Sequence, residues 1–270
     1  MRTIIKRIEY SSRADVIPIH ILPDVHVGNA ACDEEQLQTF VAEVLAHPES
    51  RWVGVGDTCE FINRSDKRFD PEALPEWLRS HADLAKFQRD HFIDAVLPIR
   101  DQCLALVEGN HEETMRIRSE RDVYATLCEK MGATEDNPLA LGMSGFLRLI
   151  FQRHINDCRM PAWTVDCFLT HGWWNGRLHG NGELNLERIH GWHTGQLTIA
   201  GHDHKPSGFA LTRYIPLKNG QMVERVDHCV GAGTFLGLAT YAQAKGYRPS
   251  PRTWSTLLIE PDKQSIRLLQ

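Results

Sequence analysis

The sequence predicts an α/β fold: two mixed sheets lying face to face with helices outside, a four-layer α/β/β/α sandwich. Three observations lead there. Apolar runs of strand length alternate with amphipathic helical stretches through most of the chain, and after His204 the pattern becomes strands alone. Five short polar clusters rich in His, Asp and Asn each follow or close one of the apolar runs.

Those runs are Val16 to Leu22, Trp52 to Val55, Cys103 to Val107, Val165 to Leu169 and Leu197 to Ala200. Each is short and mostly apolar, as a strand buried on both faces is. Helices are expected over Glu34 to Ala46, from Pro71 or Glu72 to about Val96, and over Glu113 to Met131, the last stopped by Gly132. Phe146 to Gln152 reads as a strand, followed by an irregular insert up to Met160. Gly208 to Tyr214, Met222 to Val230, Ser255 to Ile259 and Ser265 to Leu268 complete the β-rich end.

At 270 residues and 42% apolar content the chain can bury a large core, and no repeat or low-complexity linker divides it. A single domain over 1–270 is expected, with insert or lid stretches at 138–160 and 172–195. No run of 18 apolar residues occurs, and Met1-Arg2-Thr3 leads into a mixed strand rather than a signal peptide, so a cytoplasmic protein is expected, with no membrane partner. Seven cysteines without a C-x-x-C pair read as reduced, buried small residues. A net charge of −5 argues against a general polyanion-binding surface, so nucleic acid is not the favoured partner. Arg51, Arg64, Lys67 and Arg68 bracket the second cluster, and Arg116, Arg118 and Arg121 follow the third; all read as solvated faces.

The clusters are Asp24-Val25-His26, Gly56-Asp57, Gly109-Asn110-His111-Glu112, His171-Gly172 and Gly201-His202-Asp203-His204. Strand ends of one sheet open onto a common crevice, so five such tips should converge on one site. Together they offer a ligand set for two metal ions. Imidazole and carboxylate donors suit Mn, Zn, Fe, Co or Ni, and no thiolate is placed for a structural zinc. Glycine stands beside the ligand in four clusters, where the backbone must turn sharply or approach an ion.

These blocks, in this order, resemble the calcineurin-like metallophosphoesterase superfamily, whose pattern reads D-x-H, G-D-x-x, G-N-H-[DE], a lone H and G-H-x-H. The likeness covers roughly Val16 to Pro206. Leu22 to Gly28, His171-Gly172 with Asn175-Gly176-Arg177, and Gly233 to Leu236 with Tyr241 to Pro249 look like a subgroup common in bacteriophage and prophage genomes. The resemblance implies the metallophosphoesterase-like sandwich and a bacterial, phage-encoded setting. It also implies that Asp24, His26, Asp57 and His204 hold one divalent ion and Asp57, Asn110, His171 and His202 the other, with Asp57 bridging. Mn²⁺ heads the expected metals, ahead of Zn²⁺, Fe, Co²⁺ and Ni²⁺.

Two such ions about 3.5–4 Å apart can hold a bridging hydroxide for in-line attack on phosphorus. His111, beside ligand Asn110, is the expected general acid, binding the phosphate and protonating the leaving oxygen. The expected function is therefore a binuclear-metal-dependent phosphoric ester hydrolase, a phosphodiesterase acting on a nucleotide or similar small ester. Diesters are favoured because no cluster contains Arg or Lys to neutralise a dianionic monoester. Glu60 to Arg64 should form one wall of the site, with Asn63 and Arg64 as candidate substrate contacts. Trp173 and Trp174, just after His171, are the candidates for stacking on a base or sugar. His179, His190 and His193 lie on the expected lid, as surface or capping residues. The alternatives are a recombination-type DNA nuclease, a phosphomonoesterase, a lipid-linked sugar-nucleotide pyrophosphatase and, from a different class, a non-catalytic metal-binding scaffold.

Overall fold

The computed structural model describes residues 1–155, 158–159, 163–174, 178, 180–239, 243, 246 and 248–269. The Asn175-Gly176-Arg177 block, His179, Met160 and Tyr241 lie outside the described residues. One sheet holds β2 (Ile17–Leu22), β3 (Arg51–Gly54) and β4 (Cys103–Leu106), mutually parallel, then β11 (Ser255–Glu260) and β12 (Ser265–Leu269), in the order β12-β11-β2-β3-β4. The other contains β1 (Arg2–Tyr10), β5 (Ser144–Ile155), β7 (Trp163–Thr170), β8 (Leu197–Ala200), β9 (Pro206–Pro216) and β10 (Met222–Ala232), in the order β1-β5-β7-β8-β10-β9; β6 (Cys158–Arg159) pairs with β5. Both sheets are mixed. β11 runs antiparallel to β2, while β7–β8 and β8–β10 are parallel and β5–β7 and β9–β10 antiparallel.

Three apolar seams separate the four layers. Ile17, Ile19, Ile21, Val53, Leu104 and Leu257 of the first sheet meet Ile4, Leu147, Leu149, Val165, Leu197 and Ile199 of the second. The opposite face of the first sheet, including Trp52 and Leu106, packs under Phe40 and Val44 of α1 (Glu34–Ala46), Phe92 and Val96 of α3 (Leu84–Val96), and Leu127 of α5 (Val123–Lys130). On the outer face of the second sheet, Phe168 and Cys229 pack against Leu186 and Ile189 of α6 (Gly180–His190). Strands buried on both faces carry apolar side chains at both parities, which is why their runs are continuous in the sequence. Among the described residues no helix is long and apolar enough to cross a membrane.

The structure corrects three expectations. The single helix expected up to Val96 is a 3₁₀ turn at Pro71–Ala73, then α2 (Glu76–Arg79), then α3. Pro75 fills the N-cap of α2, and the Asp83 carboxylate starts α3 by accepting from the Lys86 amide. The helix expected over Glu113 to Met131 is α4 (Asn110–Ser119) followed by α5, because Glu120 turns left-handed at φ 51° and the Asp122 carboxylate caps the new start. Gly132, at φ 88°, ends it as expected. Lastly, the five clusters do not lie on one sheet. Three follow β2, β3 and β4 and two follow β7 and β8, so they converge from the carboxyl ends of strands in two different sheets. Of the 138–160 stretch, Ser144–Ile155 is a sheet strand between β1 and β7.

Candidate metal centre

Every one of the five strand tips reaches the same place. Asp24 leaves β2 with its carbonyl accepting from the Phe235 amide and the Thr234 hydroxyl, at 2.8 and 2.9 Å. The amides of Val25 and His26 both donate to the Asp57 carbonyl at 3.0 Å, so the first two clusters are stitched backbone to backbone. Asn110 and His111 open α4, and the His111 amide donates to Asp57 Oδ1 at 2.9 Å. That places the positive end of a ten-residue helix on the central carboxylate.

The side chains form two groups, the second containing Asp57, whose carboxylate also approaches the first. In the first, donor atoms of Asp24, His26 and His204 lie within 4.8 Å of one another. His26 Nε2 stands 3.2 Å from His204 Nε2, and His204 Nε2 stands 3.3 Å from Asp24 Oδ2. Asp57, His171 and His202 make the second group under the same limit. There the His171 Nε2 and His202 Nδ1 atoms are 3.2 Å apart, and Asn110 Oδ1 lies 3.0 and 2.8 Å from them. Asp57 Oδ2 stands between the groups, 3.2 Å from His171 Nε2 and 3.8 Å from His26 Nε2.

Hydrogen bonds behind the ligands set which nitrogens face inward. His26 Nδ1 lies 2.9 Å from Glu60 Oε2 and His171 Nδ1 lies 2.8 Å from the Val55 carbonyl, so each Nδ1 donates and each Nε2 turns a lone pair to the centre. Glu112, fully buried, accepts from the amides of Asp57, Thr58 and Gly109 and from the Thr58 hydroxyl, at 2.6 to 3.1 Å. Facing imidazole nitrogens and carboxylate oxygens are stabilised by positive charge between them, from a metal ion or from protons. Asp24 Oδ1 is in the same position: it is buried and has no hydrogen-bond partner among the described residues. The donor set fits divalent ions.

Backbone strain is concentrated at this spot. His26, Asp57, His202 and His204 are left-handed, with φ of 57°, 47°, 70° and 58°, and Phe61 beside Glu60 has φ 47°. Such a conformation costs a non-glycine residue on the order of 1–3 kcal/mol and persists where the surroundings over-determine it, typically at functional sites. Two glycines make the approach of the loops possible. A Cβ on Gly109 would lie 2.1 Å from the Asp57 nitrogen, and one on Gly56, at φ 95°, would lie 2.6 Å from the backbone of Gly109.

Buried carboxylates packed against imidazoles shift one another strongly. Burial lowers His26 and His171, but the Glu60 hydrogen bond and charge raise the first to about 9, and Asp57 with Asp24 raises the second to about 10. Burial pushes Asp24 up to about 7 against the pull of His171. Asp57 goes the other way, held well below the carboxylate range by His171 and His111 despite its burial. Burial and the neighbouring His171 leave His202 at about 4. Without an ion, protons on His26 and His171 balance the carboxylates, so metal and proton compete for the same nitrogens.

His111 is buried against this cluster. Its ring stands edge-on to His26 at a centroid distance of 4.9 Å, and its Nδ1 donates to the Glu60 carbonyl. The remaining candidates are placed differently. Asn63 Oδ1 accepts from the Ser65 amide and hydroxyl within its own turn, and Arg64 donates to the carbonyls of His81 and Ala82. Trp174 is only 7% exposed, packed on Leu186 and Ile189, whereas Trp173 is 59% exposed. His190 is fully buried between Thr198 and Asp227. Arg116, Arg118 and Arg121 pair with Glu108, Asp66 and Asp83.

Three residues lacked an assigned role in the sequence. Glu60 stood only as part of a wall, although its place three residues after Asp57 puts it behind the first group. Glu112 was visible as the acidic end of the G-N-H-E block. Trp192 carried no signal, because only the fold brings it to Trp173.

No protein-family model and no curated relative matches this chain. Among solved structures, the NAD nucleotidase NadN of Haemophilus influenzae is similar over 95% of this chain and 49% of its own, at 7% identity and a TM-score of 0.36. The calcineurin-like phosphoesterase YfkN from Bacillus subtilis is similar over 71% of this chain and 64% of its own, at 12% identity and a TM-score of 0.29. The chain thus spans about half the length of the first and under two thirds of the second. Scores this low assign no activity to it.

Proposed function

We propose that this chain is a metal-dependent phosphoesterase that uses two divalent ions and cleaves phosphodiesters of nucleotide type. The observation that carries the reading is Asp57 Oδ2, set between the inward-facing Nε2 atoms of His26 and His171, with a full donor group on either side. Asp24, His26, Asp57 and His204 would hold one ion, and Asp57, Asn110, His171 and His202 the other. Bound there, two divalent ions would supply Lewis acidity toward a phosphoryl oxygen and an acidified water. Mn²⁺ is the first metal to load.

The chain's own residues do the rest. Glu60 and the Val55 carbonyl hold His26 and His171 in the tautomer that offers Nε2. With Nδ1 committed to the Glu60 carbonyl, His111 is left to exchange a proton with substrate through Nε2, as a general acid to the leaving oxygen does. Diester preference is supported by what surrounds the site. Arg64 spends its guanidinium on backbone carbonyls, and Lys205 binds Asp203 and the Leu178 carbonyl.

The test is a hydrolysis panel on Mn²⁺-loaded protein with an aryl phosphate, an aryl phosphodiester, cyclic nucleotides, and short single-stranded and duplex DNA. The aryl phosphodiester or a nucleotide diester should be cleaved with a kcat/KM at least equal to that of the matching monoester. A clear preference for monoesters reverses the diester assignment, a preference for DNA favours the nuclease, and no hydrolysis of any member removes the phosphoesterase reading.

A further inference from the structure

Trp173 leaves the centre two residues after His171, so their Cα atoms are within about 7 Å. Its indole does not fold into the core. Trp174 takes that place, seated on Leu186 and Ile189 of α6, and Trp173 points outward, 59% exposed. Just beyond the end of α6, Trp192 is 57% exposed, and its ring lies nearly parallel to that of Trp173, at 14° with centroids 5.6 Å apart. The Arg188 guanidinium sits 6.0 Å from the centroid of Trp192. The two indoles stack on each other, offset and open to solvent, and with a cation beside Trp192 they present an aromatic face close in the chain to ligand His171.

The Trp192 side of this pair is firmly anchored. The turn carrying Trp192 is tied on both sides: Arg213 donates to the His190 carbonyl and Arg225 to the Thr194 carbonyl, at 2.9 and 3.0 Å. Both arginines also bind the fully buried Asp227, which accepts from His190 at 3.0 Å. His193, one residue after Trp192, reaches the same Thr198 hydroxyl as His190. A preset aromatic surface loses little freedom when a ring lands on it.

We infer that Trp173 and Trp192 form a stacking platform for a flat aromatic arm of the substrate, a nucleobase, carried by the ester on the side away from the leaving group. This rests on the phosphoesterase reading and names the substrate class that the same site selects. Stacking tolerates any base, so the platform selects for the presence of a base and not for its identity.

The test compares two diesters with one leaving group, thymidine 5′-(p-nitrophenyl phosphate) and methyl p-nitrophenyl phosphate, on Mn²⁺-loaded wild type, Trp173→Leu, Trp192→Leu and Trp192→Phe. Binding of thymidine 5′-monophosphate against ribose 5-phosphate is measured alongside by calorimetry. The ratio of kcat/KM for the thymidine ester over the methyl ester should fall at least about fivefold in each Leu variant and be largely kept in Trp192→Phe. An unchanged ratio in the Leu variants overturns the platform, as does an equal fall in Trp192→Phe and Trp192→Leu. So does a wild-type dimer that dissociates in Trp192→Leu, which would make the patch an interface between copies. If neither ester is hydrolysed by wild type, the phosphoesterase reading fails. The platform then stands or falls on whether the Leu variants lose the preference for thymidine monophosphate over ribose phosphate.

Discussion

His111 and His26 are both positioned by Glu60, one through its backbone carbonyl and the other through its carboxylate. The two contacts lead to separable outcomes. His111→Gln should keep both ions and lower turnover by roughly 10²–10⁴ on esters with poor leaving groups, with a smaller loss on nitrophenyl esters that need little protonation. Equal losses on good and poor leaving groups would contradict the acid role. Glu60→Ala should instead weaken metal binding by roughly 10–100-fold, read by calorimetric titration, because nothing then holds His26 Nδ1. The ligands themselves were legible in the sequence, since His, Asp and Asn at strand ends are the residue types the chemistry needs. Glu60 was not, because only the turn after Asp57, with Phe61 left-handed, swings its carboxylate behind His26.

Loops and helices set the distances that the residues exploit. Gly109 lets the N-terminus of α4 touch the Asp57 loop, and the Cβ of Gly109→Ala would meet both the Asp57 nitrogen and Oδ1, at 2.1 and 2.3 Å. That variant should lose more than about 1 kcal/mol of stability and bind metal poorly, as thermal unfolding and elemental analysis would show. Around α6, the Asp227 carboxyl is held below its usual range: burial raises it, but the His190 bond and Arg225 outweigh burial. Its contribution to stability is present above the unfolded value of about 3.9 and is lost as pH falls through the lower folded value. Asp227→Asn should therefore lower Tm at neutral pH, with the gap to wild type closing in acid below about pH 4. A gap that stays constant down to pH 3 would mean the charge is not what matters. Helix existence was legible at this scale, whereas the breaks at Pro75 and Glu120 were not. The apolar spacing continues across both breaks, and only Pro75 carried a warning.

At the scale of the molecule, the centre sits where two sheets meet, and this is what the sequence concealed most. Which strands pair is decided by contacts far apart in the chain, such as β2 with β11, so the five tips read as one row when they are two rows facing each other. The layers, by contrast, were legible, because both-face burial writes continuous apolar runs. Loading the centre should also reverse its response to pH. In the metal-free protein His26 is raised to about 9 and His171 to about 10, so the stability they contribute is full below the unfolded value of about 6.5 and declines as pH rises toward those values. Metal must displace these protons, so the rise in Tm produced by a fixed Mn²⁺ concentration should grow from about pH 6 to about pH 8.5. The central claim is a pair of ions joined by Asp57, and elemental analysis of Mn²⁺-loaded, desalted protein tests it most directly. Two ions per chain are expected in wild type, with at least one lost in Asp57→Asn; no bound metal in wild type, or two ions retained in Asp57→Asn, would contradict it.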